Sequence, residues 1–189
     1  MFIEPIILSF IVAKLRGGRI RHIEQIDIKG WYLFIFAAII QFLISLIKGI
    51  DIDTGTELLN KYFIYFHAFT YLLLIIGIAL NIRANSMKLF LIGIILNLIV
   101  ILFNGGQMPV SLEGIKGINN YVELPERQFD IKHNSITKDT KLAFLADIIV
   151  IPKPYPLPKI ISVGDIFIMT GVFLFFQEAM VKENLKRKA

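Results

Sequence analysis

Four stretches of this chain are apolar and long, and they restrict the fold more than any other feature. Trp31–Ile47, Tyr62–Leu80 and Leu89–Phe103 contain no Asp, Glu, Lys or Arg. The fourth, Ile166–Phe176, reaches comparable length once Ser162–Asp165 and Gln177–Val181 are added. A helix crossing the hydrocarbon core of a bilayer needs about 20 predominantly apolar residues, with a range of roughly 17–25. Apolar residues make up 56% of the 189 positions, and the mean hydropathy is +0.68. A water-soluble domain of this size would carry apolar surface that it could not cover, whereas a bilayer solvates it.

A fifth apolar segment, Phe2–Ala13, is interrupted by Glu4 and Pro5. Pro near a helix start is well tolerated, because its missing N–H has no helical partner there anyway. The segment reads as a short first helix, with a re-entrant or surface-lying piece as the alternative. No basic residue precedes it and no small-residue cleavage site follows, so it does not read as a signal peptide. The expectation is an all-α integral membrane protein with about five transmembrane helices, near residues 2–15, 31–47, 62–80, 89–103 and 163–181. They form a single membrane domain, 1–189, with a long ordered extracytoplasmic loop over 104–161.

Orientation follows from the placement of Lys and Arg. Lys14, Arg16, Arg19, Arg21 and Lys29 crowd the first loop, and Lys182, Lys186, Arg187 and Lys188 close the chain. Cytoplasmic loops carry such an excess. The reading is N-out and C-in, a multi-pass protein of a bacterial inner membrane with its C-terminus in the cytoplasm. The net charge of +5 is thereby an orientation signal. Aromatic residues lie inside the spans and not beside basic patches, so no nucleic-acid partner is expected. Without Cys there is no disulfide, thiol nucleophile or thiolate metal site. The three His are too dispersed to suggest a metal, and no cofactor motif is present.

Once the topology is drawn, polar residues distant in sequence converge at the outer interface. Glu4 opens the first helix there, and Asn104 ends the fourth and leads into Gly105, Gly106 and Gln107. Asp147 lies within the apolar Leu145–Ile149, and Ser162 and Asp165 open the last helix. Ionisable groups at this depth are costly and are retained mainly when paired or used. Each also has a plain structural use. Asp165 complements a helix dipole, Asn104-Gly105-Gly106 makes a helix C-terminal turn, and His67 can bond between helices.

Two resemblances follow from these residues. The stretches Asn104–Val110, Leu145–Ile149 and Ser162–Ile166 look like the signature of an uncharacterised family of small polytopic bacterial membrane proteins. That likeness covers nearly the whole chain and implies no activity. The last forty-five or so residues resemble signal peptidase II, the membrane aspartyl protease that matures lipoproteins. Asp147 and Asp165 match the spacing of its two catalytic aspartates, the second of which opens a final helix. Here Ser162 stands where that enzyme has Asn, Gly164 replaces Ala, and its Asn-x-x-x-Arg and Asp-x-x-x-Lys patterns are missing.

Three function classes therefore stand open. The first is a module that binds a lipid or a membrane peptide through Glu4, Asn104, the Gly105–Gln107 turn and Ser162. The second is an aspartyl hydrolase using Asp147 and Asp165, whose coupled ionisation would make loss of one charge harmless or stabilising. The third is a small transporter with a proton or cation path through Glu4, His67 and Asp165. Partners other than the lipid bilayer are not specified by the sequence.

The topology is directly testable. Reporter fusions after Arg21, Asn85 and Lys188 should give cytoplasmic activity, and those after Asp53 and Gly114 should give extracytoplasmic activity. A cytoplasmic signal at Gly114 would break the alternation on which the depth argument rests.

Overall fold

The structure, a computed structural model, describes residues 3–49, 53–111 and 133–186. Residues 112–132 of the expected loop lie outside the described residues, as do Phe2 and the tail from Arg187. Five helices are present: α1 (Ile3–Leu15), α2 (Trp31–Gly49), α3 (Asp53–Ala79), α4 (Asn85–Phe103) and α5 (Val163–Lys186). Three of them, α3, α4 and α5, contain stretches long and apolar enough to cross a membrane, and the apolar run of α2 over Trp31–Leu46 is shorter.

The helices pack as a row, α2–α3–α4–α5–α1. Side-chain contacts fix their directions. Ile44 meets Phe63, and Phe34 meets Gly77, so α2 and α3 are antiparallel. Ile78 packs with Met87 and reverses the direction again at α4. Asn97 lies beside Asp165 while Ser86 lies beside Glu178, so α4 and α5 are also antiparallel. Helix α1 instead runs parallel to α5. Ser9 Oγ donates to the Phe173 carbonyl at 2.6 Å, and Ala13 packs on Met180 and Val181. The chain then crosses the end of the row to reach α2. A 3-10 turn at Ile20–Gln25 helps, with the Arg19 amide bonded to the Met180 carbonyl and the Lys29 amide to Asn81 Oδ1.

Large apolar side chains face outward along much of this row. Ile7, Leu8, Ile11, Ile35, Phe36, Phe42, Phe66, Phe69, Leu72 and Ile76 are all exposed. Water would make such a surface aggregate, while lipid tails match it.

The expectation of an all-α chain needs one amendment, because the segment between α4 and α5 contains strands. β1 (Met108–Val110) pairs in parallel with β2 (His133–Ser135), and β3 (Ile149–Ile151) pairs antiparallel with β4 (Lys159–Ile161). Asp147 flanks the other side of β1 through a parallel bridge to Val110. The reason is backbone satisfaction. Non-helical apolar chain held against a bundle must pair its N–H and C=O groups with one another. The cap is seated by an apolar cluster in which Val100 and Ile101 of α4 meet Met108 and Ala146, flanked by Tyr71, Ile136, Leu142 and Leu145.

The seam between α4 and α5 is the tightest in the bundle. A Cβ at Gly164 would fall 2.1 Å from Asn97 Oδ1, and one at Gly93 would fall 2.5 Å from the Gly164 carbonyl oxygen. Small residues at such a crossing let two backbones approach in lipid. Gly164→Ala should therefore force the helices apart and lower stability by about 1–3 kcal/mol. Thermal unfolding in detergent reads this directly, and an unchanged midpoint would mean that the seam is looser than its geometry implies.

Candidate functional site

The start of α5 is built by its own sequence. In Ser162-Val163-Gly164-Asp165, Ser162 Oγ accepts the Asp165 N–H at 2.9 Å, and Asp165 Oδ2 accepts the Ser162 N–H at 3.0 Å. This is a reciprocal capping box, with Asp in the position more often held by Glu or Gln. Asn97 of α4 closes it into a ring. Its Nδ2 donates to Asp165 Oδ1 at 3.0 Å, and its Oδ1 accepts from Ser162 Oγ at 2.9 Å. All three side chains are buried. Both oxygens of Asp165 thus hold a hydrogen bond, and the ring ties α5 to α4 at the depth of the Gly93–Gly164 contact.

Asp147 is buried beside β1, its amide donating to the Pro109 carbonyl at 3.0 Å and its carbonyl accepting from Ser111 at 2.9 Å. Both Asp147 and Asp165 act electrostatically on Tyr71 of α3. The two carboxylates thus both lie near enough to one phenol to act on it. Tyr71 stacks on His67 with centroids 5.3 Å apart, and buried His67 also meets Phe63 at 5.1 Å. His67 Nδ1 lies 3.0 Å from the Gly106 carbonyl, an acceptor only, so Nδ1 carries the proton in this contact.

The other expected residues have separate placements. Asn104 pins the cap: its Nδ2 donates to the Val100 and Lys141 carbonyls at 2.8 Å each, and its Oδ1 accepts from the Lys141 amide at 3.0 Å. Gly105 and Gly106 have φ of 73° and 90° and turn the chain after α4. A Cβ on Gly106 would fall 2.9 Å from Ile64 Cα, so this turn presses directly on α3, whereas Gly105 faces open space. Half-buried Gln107 leads from that turn into β1. Glu4 forms an ion pair with Lys159 of β4, and the Tyr155 hydroxyl lies 3.4 Å from the same carboxylate oxygen. That contact joins α1 to the β3–β4 hairpin.

Sequence reasoning missed Asn97 and Tyr71. The signal for Asn97 was present, because it is the one polar side chain between Leu89 and Phe103. Tyr71 carried none, since Tyr is common in apolar spans. Among the described residues, no group of three or more His, Asp or Glu is arranged to hold a metal.

The ring predicts the effect of losing the Asp165 charge. Asp165→Asn should destabilise by about 0.5–2 kcal/mol, the range for a lost N-terminal cap, because an amide cannot accept at both positions. Ser162→Ala should fall in the same range, and the two changes should be strongly non-additive, since they break the same ring. A more heat-stable Asp165→Asn variant would instead indicate relieved repulsion between Asp165 and Asp147.

Comparison with known proteins finds a relative that this chain matches over most of both lengths. An uncharacterised protein of Thermotoga maritima is 30% identical over 176 residues, which cover 93% of this chain and 90% of its own. No solved structure matches. Residues 25–177 match a family of unknown function, DUF5317. That match takes in α2 to α4, the strand-bearing cap and α5 as far as Gln177, and the chain belongs to the DUF5317 family.

Proposed function

We propose that the protein is a five-span inner-membrane protein whose outer end binds an amine-bearing group, such as a lipid headgroup or a peptide N-terminus. The observation that carries the reading is the burial of Asp147 and Asp165 where the cap meets the bundle, both acting electrostatically on Tyr71. Two carboxylates and a phenol at one place favour N–H donors and positive charge over anions, and low dielectric strengthens that preference.

The topology within this proposal rests on the row of helices. Lys14, Arg16, Arg19, Arg21 and Lys29 lie at or beyond the last turn of α1, and Arg83 precedes α4, all at the end opposite the cap. By the basic-residue bias this end faces the cytoplasm. Helix α1 has only 13 residues, yet it runs beside α5 from the Ser9–Phe173 bond to the Ala13–Met180 contact, with Glu4 paired beyond α5 to Lys159 of β4. A helix tied to α5 over that length shares its crossing. Arg16 and Arg19 can extend their charged heads to the interface.

The hydrolytic and transport alternatives are weaker on stated grounds. Both oxygens of Asp165 are committed to the capping ring, which leaves it poorly placed to exchange protons with a substrate. The proton path named Glu4, His67 and Asp165, but Glu4 is ion-paired with Lys159 and His67 bonds to Gly106.

Thermal unfolding in lipid nanodiscs tests the binding reading. The protein should melt several degrees higher in phosphatidylethanolamine than in phosphatidylcholine, as expected for a charged hydrogen bond worth about 1.5–3 kcal/mol. Asp147→Asn should remove that difference. A short apolar peptide with a free N-terminus should likewise stabilise the protein more than its acetylated form. An Asp147→Asn variant that keeps both differences would sink the site.

A further inference from the structure

At the opposite end of the bundle lies a cleft that no part of the outer site uses. Its volume is about 320 Å³, within the roughly 300–1,000 Å³ of small-molecule sites. It is lined by Arg16 after α1, Arg83 and Asn85 at the α3–α4 link, and Leu174, Gln177, Glu178 and Val181 of α5. The wall is mostly apolar, and the two guanidiniums are exposed at it.

The local charges leave those guanidiniums available. Among the described residues, Glu178 is the carboxylate lining the cleft, and it is engaged by the start of α4. One oxygen accepts the Asn85 N–H at 3.1 Å, and the other accepts from Ser86 Oγ at 2.7 Å. A carboxylate at a helix N-terminus also complements the helix dipole. Arg16 uses one nitrogen on Gln177 Oε1 at 2.9 Å. Among the described residues, neither Arg16 nor Arg83 has a carboxylate within ion-pair distance. Gln177 is itself fixed, donating to the Ser9 carbonyl at 2.7 Å and to Ser9 Oγ at 3.1 Å. The guanidinium of Arg16 is thus held in place by a rigid partner while keeping donors to spare.

We infer that this cleft binds the phosphate of an anionic phospholipid, with Arg16 and Arg83 on the phosphate and Leu174 and Val181 against the first methylenes of the chains. The inference rests on the membrane reading above but not on the outer site. The chemistry fits on three counts. Guanidinium pairs phosphate through parallel hydrogen bonds. A basic pocket between helices at the cytoplasmic face is the usual form of a headgroup site. Aliphatic walls beside the charges suit an amphipathic ligand better than a free anion.

Native mass spectrometry of the full chain, released from phosphatidylcholine nanodiscs doped with phosphatidylglycerol, provides the test. The expected result is a retained phosphatidylglycerol that millimolar inorganic phosphate does not displace. Arg83→Gln should weaken it about fivefold, and adding Arg16→Gln should weaken it about fivefold again, from roughly 1 kcal/mol per basic group. Lys14→Gln with Lys29→Gln, which removes equal charge away from the cleft, should leave retention unchanged. If Arg83→Gln fails to fold, Arg83→Lys should keep most of the affinity. Equal retention of phosphatidylcholine, unaltered affinity in the Arg double variant, or equal loss in the Lys control would each overturn the site. Full displacement by phosphate would overturn the lipid as its occupant. Asp147→Asn should not affect any of these readings, so this cleft and the outer site fail or stand separately.

Discussion

The seam between α4 and α5 closes because Gly93 and Gly164 have no side chains, and it closes over a ring of hydrogen bonds. Ser162, Asp165 and Asn97 satisfy one another at the point where non-helical chain becomes helix. In water such a cap would have solvent as an alternative partner. Inside a bundle the alternative is an orphaned amide or carboxylate, so the ring and the close approach require each other. Once α5 is fixed, its neighbours follow. The strand β4 ends at Ile161, one residue before the ring, so the hairpin and its Lys159–Glu4 pair inherit their position from it. Helix α1 is then held at both ends.

How far these features could be read from the residues depends on whether the signal was local. Helical class was legible, and so were helices long and apolar enough to cross a membrane, because an apolar run without charges has few other solutions. The polar character of Ser162 and Asp165 was also legible as a helix start. Asn104 was visible as a turn residue, but not as the side chain that holds Lys141 of the cap. That bond depends on which strand of a long connection returns to α4, and no local pattern encodes it. The strands were missed for a related reason. Segments of three residues, such as Met108–Val110 and Ile149–Ile151, are too short for alternation to distinguish them from buried loop. Tyr71 comes within the influence of both aspartates only through the packing of α3 on α4.

The buried polar contacts are unevenly distributed, and this has mechanical consequences. Helix α5 is bonded to α4 near both of its ends, by the Asn97 ring and by Glu178 with Ser86. It is bonded to α1 through Ser9 and Gln177. These three helices share directional ties that resist sliding. The contact of α3 with α4 is mainly apolar, with Ile78, Met87 and Ile94 in one cluster and Val100 and Ile101 near Tyr71 in another. Apolar packing is non-directional, so α2 and α3 are held to the rest by shape and less by fixed geometry. The polar tie at that seam is His67 to Gly106, which bonds α3 to the turn leading into the cap. Helix α3 is thereby bonded to the turn from which β1 starts. The two carboxylates at the cap end are thus held by different contacts. Asp165 is bonded within the α4–α5–α1 group, while Asp147 bridges β1, in a cap that rests on α4 through Met108 and Ala146 and on α3 through the Gly106 turn.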